Sequence, residues 1–202
     1  MSEYLPSEFP ANYLLPLVLV VLLLLLLLLY RRRRGRKRSP GSVFASIAFE
    51  RIDGLVVPNA DEGEIQIDHV LLTANGLLIV DVKDVTGTVF GSDKMQEWTV
   101  ISRARRFTFA NPQHALFDRI AAVREIVRQV PVAGRILFLD GAQFTKGVPS
   151  LVCQFDDLLE EFTETDKSAG KMKVEAFKSH WELLRQHVRA SRFGKILRYR
   201  QI

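Results

Sequence analysis

Apolar residues fall along this chain in three patterns. From Tyr13 to Tyr30 the run is nearly unbroken and ends in eight consecutive leucines, Leu22 to Leu29. Its roughly 18 apolar positions give about 27 Å of helix, enough to span a bilayer. Short runs rich in Ile, Val and Leu recur at residues 55–57, 65–72, 77–82, 98–101, 134–139 and 151–155, and Phe107 and Phe109 alternate with Thr108. These predict strands. Helical spacing appears in Phe44, Ile47 and Ala48, continued loosely by Ile52. It appears again in Ala115, Phe117, Ile120, Ala121, Val123 and Val127, and in Phe177, Trp181, Leu184 and Val188. Those positions predict helices with one buried stripe each.

Punctuation sharpens the boundaries. Ser39-Pro40-Gly41-Ser42 can cap a helix beginning near Val43, and Gly54 ends that element before a short strand at 55–57. The segment Pro58 to Gly63 is a polar loop in which Asp61 and Glu62 are solvated. Thr86 to Gly91 suggests a further strand. Asn111-Pro112 opens a helix, because Asn caps free amides and Pro at the first helical position loses no hydrogen bond. Pro131 stops it. The strand at 134–139 then lies parallel to a hairpin strand, since the preceding helix supplies the crossover. Asp156-Asp157 opens a short acidic helix, and a longer one is expected from Val174 to Ala190. The architecture implied is an α/β domain with a mixed sheet flanked by helices.

The most informative stretch is Glu64 to Val85, where two apolar runs are separated by Thr73-Ala74-Asn75-Gly76. Asn75-Gly76 signals a tight hairpin. If those two residues form the loop, Asp68 falls opposite Lys83; if Thr73 to Gly76 is a four-residue loop, Asp68 faces Asp81. Either register puts Asp68, Asp81 and Lys83 on one sheet face, beside Val70, Leu72 and Ile79. Two carboxylates and an ammonium on such a face are costly unless paired or bound to a cation. A Mg²⁺ site explains them, because that ion takes one or two carboxylates, keeps several waters and accepts phosphate oxygens. Lys83 would then orient the attacking water or offset charge developing on the phosphate. A structural Asp-Lys pair near a sheet end is the alternative.

Charge changes the picture at the front of the chain. The formal net charge is +5. Residues 1–30 carry −2, the tract Arg31 to Arg38 carries +7, and residues 39–202 are neutral. The acids Glu3 and Glu8 precede the apolar run and the bases follow it, which by the positive-inside rule places the N-terminus outside and the main domain in the cytoplasm. Tyr13 and Tyr30 sit where interfacial aromatics belong. A cleaved signal peptide fits poorly, without positive charge before the run or a small-residue cleavage site after it. The expectation is a single-pass protein of the plasma (inner) membrane whose basic tract 31–38 touches anionic lipid.

The run Ile67-Asp68-His69-Val70, then Gly76 to Lys83, Gly87 and Gly91 ahead of Trp98, and Asn111-Pro112 before a helix, resembles the nuclease-related domain (NERD) family over roughly Gly41 to Leu139. That family is similar to the PD-(D/E)XK nucleases, in which an Asp on one strand and an acid-x-Lys on the next hold Mg²⁺ for phosphodiester cleavage. The resemblance implies a restriction-endonuclease-like fold, Asp68 and Asp81 as catalytic metal carboxylates, and Lys83 as the catalytic lysine. Asp81 stands where many members have Glu. Members usually open the domain with a Gly-Glu pair whose Glu is a further site acid, where this chain has Gly41-Ser42; Glu50 is the candidate additional acid. Gln113, at the helix start with His114 and near its anion-attracting amides, is a candidate contact to substrate or water.

The domain plan is therefore a short extracytoplasmic segment 1–12, a transmembrane helix 13–30, a basic linker 31–40, a nuclease-related domain 41–140 and a strand and helix extension 141–202 with a basic tail. Three functions are open: Mg²⁺-dependent hydrolysis of DNA or RNA at the cytoplasmic face, a catalytically inactive module of the same fold that binds nucleic acid or a protein partner, or a plain membrane-associated scaffold. Arg103, Arg105 and Arg106, interleaved with Phe107 and Phe109, either track a phosphate backbone or form the two faces of an ordinary strand. The single cysteine, Cys153, excludes an intramolecular disulfide and belongs in the core. Four scattered histidines offer no zinc spacing. Glu160, Glu161, Glu164 and Asp166 form a solvated face. Kinase, hydrolase-triad, dinucleotide and phosphate-loop motifs are absent.

Overall fold

Among the described residues beyond Lys37 there are ten strands and four helices, several with boundaries other than the pattern predicts. The computed structural model describes residues 19–22, 24–25, 38–58, 63–103, 105–187 and 189–190. It divides into two units, Met1–Lys37 and Arg38–Ile202. In the first, residues 19–22 and 24–25 are helical and exposed. The rest of the expected span, nearly all of the basic tract, the loop acids Asp61 and Glu62, Val188 and the tail after Ala190 lie outside the described residues. Among those described, no helix is long and apolar enough to cross a membrane.

In the second unit, helix α1 (Pro40–Ile47) starts at the proline rather than near Val43, with the Ser39 hydroxyl accepting from the Ser42 amide. It ends at Ile47. Strand β1 (Glu50–Pro58) then takes up residues whose spacing predicts helix as far as Ile52. The sheet wins because the Phe49 amide donates to the Leu72 carbonyl at 2.8 Å and the next residues pair with the following strand, Glu50 opposite Leu72 and Ile52 opposite Val70. Local spacing in a short segment is weak against a full ladder of such bonds.

Strands β2 (Glu64–Thr73) and β3 (Gly76–Lys83) form the expected hairpin with Thr73 opposite Gly76, so Ala74 and Asn75 are the turn residues. The Thr73 hydroxyl donates to the Gly76 carbonyl and accepts from the Asn75 amide. Gly76 has a φ of 114°, and a Cβ there would lie 2.3 Å from the Pro131 carbonyl oxygen. That carbonyl accepts from the Leu77 amide where strand β7 (Val132–Phe138) begins its parallel pairing with β3. The glycine is thus needed as much by the neighbouring chain as by the turn.

Strands β4 (Gly87–Phe90), β5 (Glu97–Ile101) and β6 (Arg106–Ala110), with β8 (Ala142–Phe144), make a separate four-stranded sheet in the order β6-β5-β4-β8. Its buried residues in the core include Val89, Trp98 and Val100, and the Trp98 ring would be only 2.4 Å from a Cβ at Gly91. Helix α2 (Pro112–Ile126) lies between β6 and β7, capped by Asn111. Its inward stripe is Leu116, Ile120 and Val123, while Ala115, Phe117 and Ala121 are exposed. After β9 (Val152–Cys153) come α3 (Phe155–Phe162), α4 (Lys167–His187) and β10 (Arg189–Ala190).

The larger sheet runs β10-β1-β2-β3-β7-β9, antiparallel through the hairpin and parallel from β3 to β9. Leu116, Ile120 and Val123 of α2 and Trp181 and Leu184 of α4 cover Val70, Leu72, Leu77, Ile79 and Ile136. On the other side, Val43, Phe44 and Ile47 of α1 and Leu158 and Phe162 of α3 cover Leu71, Leu78, Val80 and Val82. Strand β3 is consequently buried on both faces, which fits its run of Leu, Ile and Val. This mixed sheet with flanking helices fits a nuclease-like fold. Asp81 is the charged residue set inside it.

Candidate active site

Strand β3 carries Asp81 into a place water does not reach: the residue is 2 % exposed. The hairpin register pairs His69 with Val80, which puts Asp68 opposite Asp81, as the four-residue-loop register requires. Directly opposed Cβ atoms on such strands are about 5 Å apart. Lys83 lies two residues beyond Asp81 and is half-buried. All three are close enough to interact. Burial pushes the Asp81 carboxyl above its ordinary range, Arg119 and then Lys83 oppose that push, Asp68 adds to it, and His69 opposes it.

Strict alternation breaks beside Asp68. Ile67 and Val70 both enter the larger core, leaving Asp68 and His69 half-exposed between them. The opposing residue on β1 is Gly54, with a φ of 69°. Such local departures re-aim side chains next to functional sites. His69 turns toward the α1 face, where its ring is 5.0 Å from that of Phe44 and its Nδ1 is 2.7 Å from Asp53 Oδ1.

The residue that periodicity did not single out is Arg119. Its Nη1 donates to Asp81 Oδ2 at 2.7 Å, and its Nε donates to the Gln66 carbonyl at 2.8 Å. One guanidinium therefore joins α2 to both hairpin strands. A signal was present: Leu116, Arg119, Ile120 and Val123 share the spacing of one helical face, whereas a stripe drawn through Phe117 turns that face away from Arg119. The other oxygen, Asp81 Oδ1, is buried and has no hydrogen-bond partner among the described residues.

Two further candidates stand elsewhere. Glu50 lies four residues along β1 from Gly54, about 13 Å at strand rise. Its Oε2 accepts from Trp181 Nε1 at 2.7 Å, with Arg185 Nη1 at 3.8 Å, so it is not brought to Asp81. Gln113 is buried, and its Oε1 accepts from the Leu151 amide at 3.2 Å and from the Ser150 hydroxyl at 3.5 Å. That side chain fastens the start of α2 to the segment before β9 instead of facing outward. Nearby, bonds from the Ser150 amide and Gln113 hold the Asp93 carboxyl below the usual range.

The acidic residues after β9 also have structural partners. Glu161 pairs with Arg135, Glu164 pairs with Lys173, and Asp166 Oδ1 accepts from the Ser168 amide at the start of α4. Cys153 is buried, and burial pushes its thiol up to about 12, which leaves it protonated and without nucleophilic character at neutral pH. Phe107 and Phe109 are half-buried, Phe109 against Trp98, while Arg105 and Arg106 are exposed. Those faces match an ordinary strand.

Whether the donors suit Mg²⁺ turns on Asp81. A buried carboxyl oxygen without a partner is unusual in a protein interior, and a bound cation would satisfy it. Asp68 across the strand supplies a second carboxylate, enough for an ion that keeps most of its waters. Among the described residues no three His, Cys, Asp or Glu side chains cluster as a fuller cage. The donor chemistry fits; the approach is closed by Arg119 on the other carboxylate oxygen.

A family model for the nuclease-related domain matches residues 34–139, from the residues before α1 through the end of β7. An uncharacterized protein of Bacillus anthracis is 31 % identical over 64 residues, which cover 32 % of this chain and 30 % of that protein. The match thus spans under a third of that relative's length. No solved structure matches the chain.

Proposed function

Because this chain belongs to the nuclease-related domain family, we propose that it is a membrane-anchored, Mg²⁺-dependent phosphodiesterase acting on DNA or RNA at the cytoplasmic face. The observation that carries this reading is the orphaned Asp81 Oδ1, with Asp68 opposite it and Lys83 two residues on. Asp68 and Asp81 would hold the ion, which supplies Lewis acidity at a phosphodiester oxygen when bound. Lys83 would orient a water or offset charge growing on the phosphate. In the metal-free chain Arg119 donates to Asp81 and supplies the counter-charge that this carboxylate needs.

The anchor is the apolar run 13–30, flanked by Tyr13 and Tyr30 and followed by the basic tract 31–38. Its charge asymmetry supports an outside N-terminus, a cytoplasmic domain and contact between the tract and anionic lipid. The test is cleavage of labelled DNA and RNA by the full-length chain in mild detergent, with and without Mg²⁺. Activity should require the metal and fall about a hundredfold or more in Asp81→Ala and in Lys83→Ala. Cleavage that persists in both variants would sink the assignment.

A second reading has its own support. Arg119 occupies one oxygen of Asp81, Gly41-Ser42 replaces the family's Gly-Glu pair, and Glu50 is engaged by Trp181. A nuclease fold that binds nucleic acid or protein without turnover would show these features. It would bind without cleaving and take up no divalent ion at Asp81.

A further inference from the structure

We propose that Arg119 is a displaceable latch on Asp81, so that a divalent cation reaches this carboxylate only as the guanidinium leaves it. The inference rests on the metal-site reading above and goes beyond it by naming what controls loading. Three observations carry it. Asp81 is 2 % exposed, and its Oδ1 is wholly buried, so in the latched arrangement neither oxygen offers an open approach. Arg119 spans Asp81 Oδ2 and the Gln66 carbonyl, closing the gap between β2 and α2 with one side chain. That side chain is itself 21 % exposed, whereas Leu116, Ile120 and Val123 around it are buried. The helix is fixed by its apolar face, while the guanidinium has a path to solvent by rotation about its own stem.

Electrostatics gives the competition its sign. A guanidinium and a dication on one carboxylate repel across a few ångströms of low dielectric, so each weakens the other's hold. Without metal, the guanidinium supplies the counter-charge that a buried carboxylate needs. With metal, that need is met by the ion. Arg119 therefore stabilises the empty site and opposes its filling.

The experiment measures Mn²⁺ uptake by the full-length chain in mild detergent, from loss of the free-ion paramagnetic resonance signal, together with melting temperature with and without Mn²⁺. Arg119→Met should bind Mn²⁺ roughly tenfold more tightly than the parent. It should melt lower without metal and recover more on adding it, as expected when a ligand binds only the folded chain. Arg119→Lys, which keeps a cation but loses the two-point fork, should bind with intermediate affinity; should the Met variant not fold, the Lys variant alone carries the comparison. Parent binding that stays equal or becomes weaker in the folded variants overturns the latch and leaves the metal-site reading in place. No uptake at Asp81 by the parent or by either variant overturns both.

Discussion

Asp81 keeps a carboxyl where desolvation disfavours its charge, and Arg119, Lys83 and His69 only partly offset that. The consequence is a pH signature. Between the ordinary carboxyl value of 3.8 and the raised folded value, the native chain binds a proton that the unfolded chain has released. Stability therefore falls as pH rises through that window and levels off above it. Asp81→Asn removes this slope. Unfolding followed in the presence of a chelator should show the stability of the variant, relative to the parent, increasing as pH rises through the window. A constant difference would mean the carboxyl is not raised. The register that sets Asp68 opposite Asp81 was legible from the sequence because a hairpin turn fixes it at a distance, whereas the break in alternation beside Asp68 was not. Arg119 was hidden by one step of helical phase, and the actual partners of Glu50 and Gln113, Trp181 and Leu151, are brought near by folding rather than by spacing.

Elements were legible where one signal dominated and blurred where two competed. Asn111 caps α2 as expected, with its side-chain oxygen accepting from the Gln113 amide at 3.0 Å, and its side-chain nitrogen Nδ2 donates to the Met95 carbonyl at 2.9 Å. Asn111→Ala should cost about 2 kcal/mol in urea unfolding, because both bonds are lost from a buried position. The dipeptide Asn75-Gly76 marked the hairpin correctly, yet its glycine lies just past the turn and is required by the close approach of Pro131. Gly76→Ala should therefore destabilise by about 2 kcal/mol or more, through the strained φ and the displaced β7 backbone. A variant as stable as the parent would place the constraint elsewhere. Strand β1 was misread in its first half because four residues of helical spacing say little against pairing with residues 18 to 22 positions away, which no local pattern reveals.

At the scale of the molecule, the apolar runs announced a mixed sheet with helices on both faces, and the parallel pairing of β3 with β7 followed from the intervening helix. The second sheet was legible only as separate strands, since β8 joins β4 from more than fifty residues away. Burial makes Cys153 a simple check on this layering: native chain should resist a disulfide-exchange reagent at pH 8 and react fully once unfolded in urea. The proposed anchor is tested separately by flotation with uncharged vesicles in high salt, where the basic tract is screened, and flotation should be lost on deleting residues 13–30. On the proposed reading, Asp68 and Asp81 form one divalent-cation site beside Lys83. It is tested most directly by calorimetric titration of Mg²⁺ into the full-length chain and into its Asp68→Ala and Asp81→Ala variants. One site that disappears in both variants is the expected result; uptake unchanged by either substitution would contradict the account.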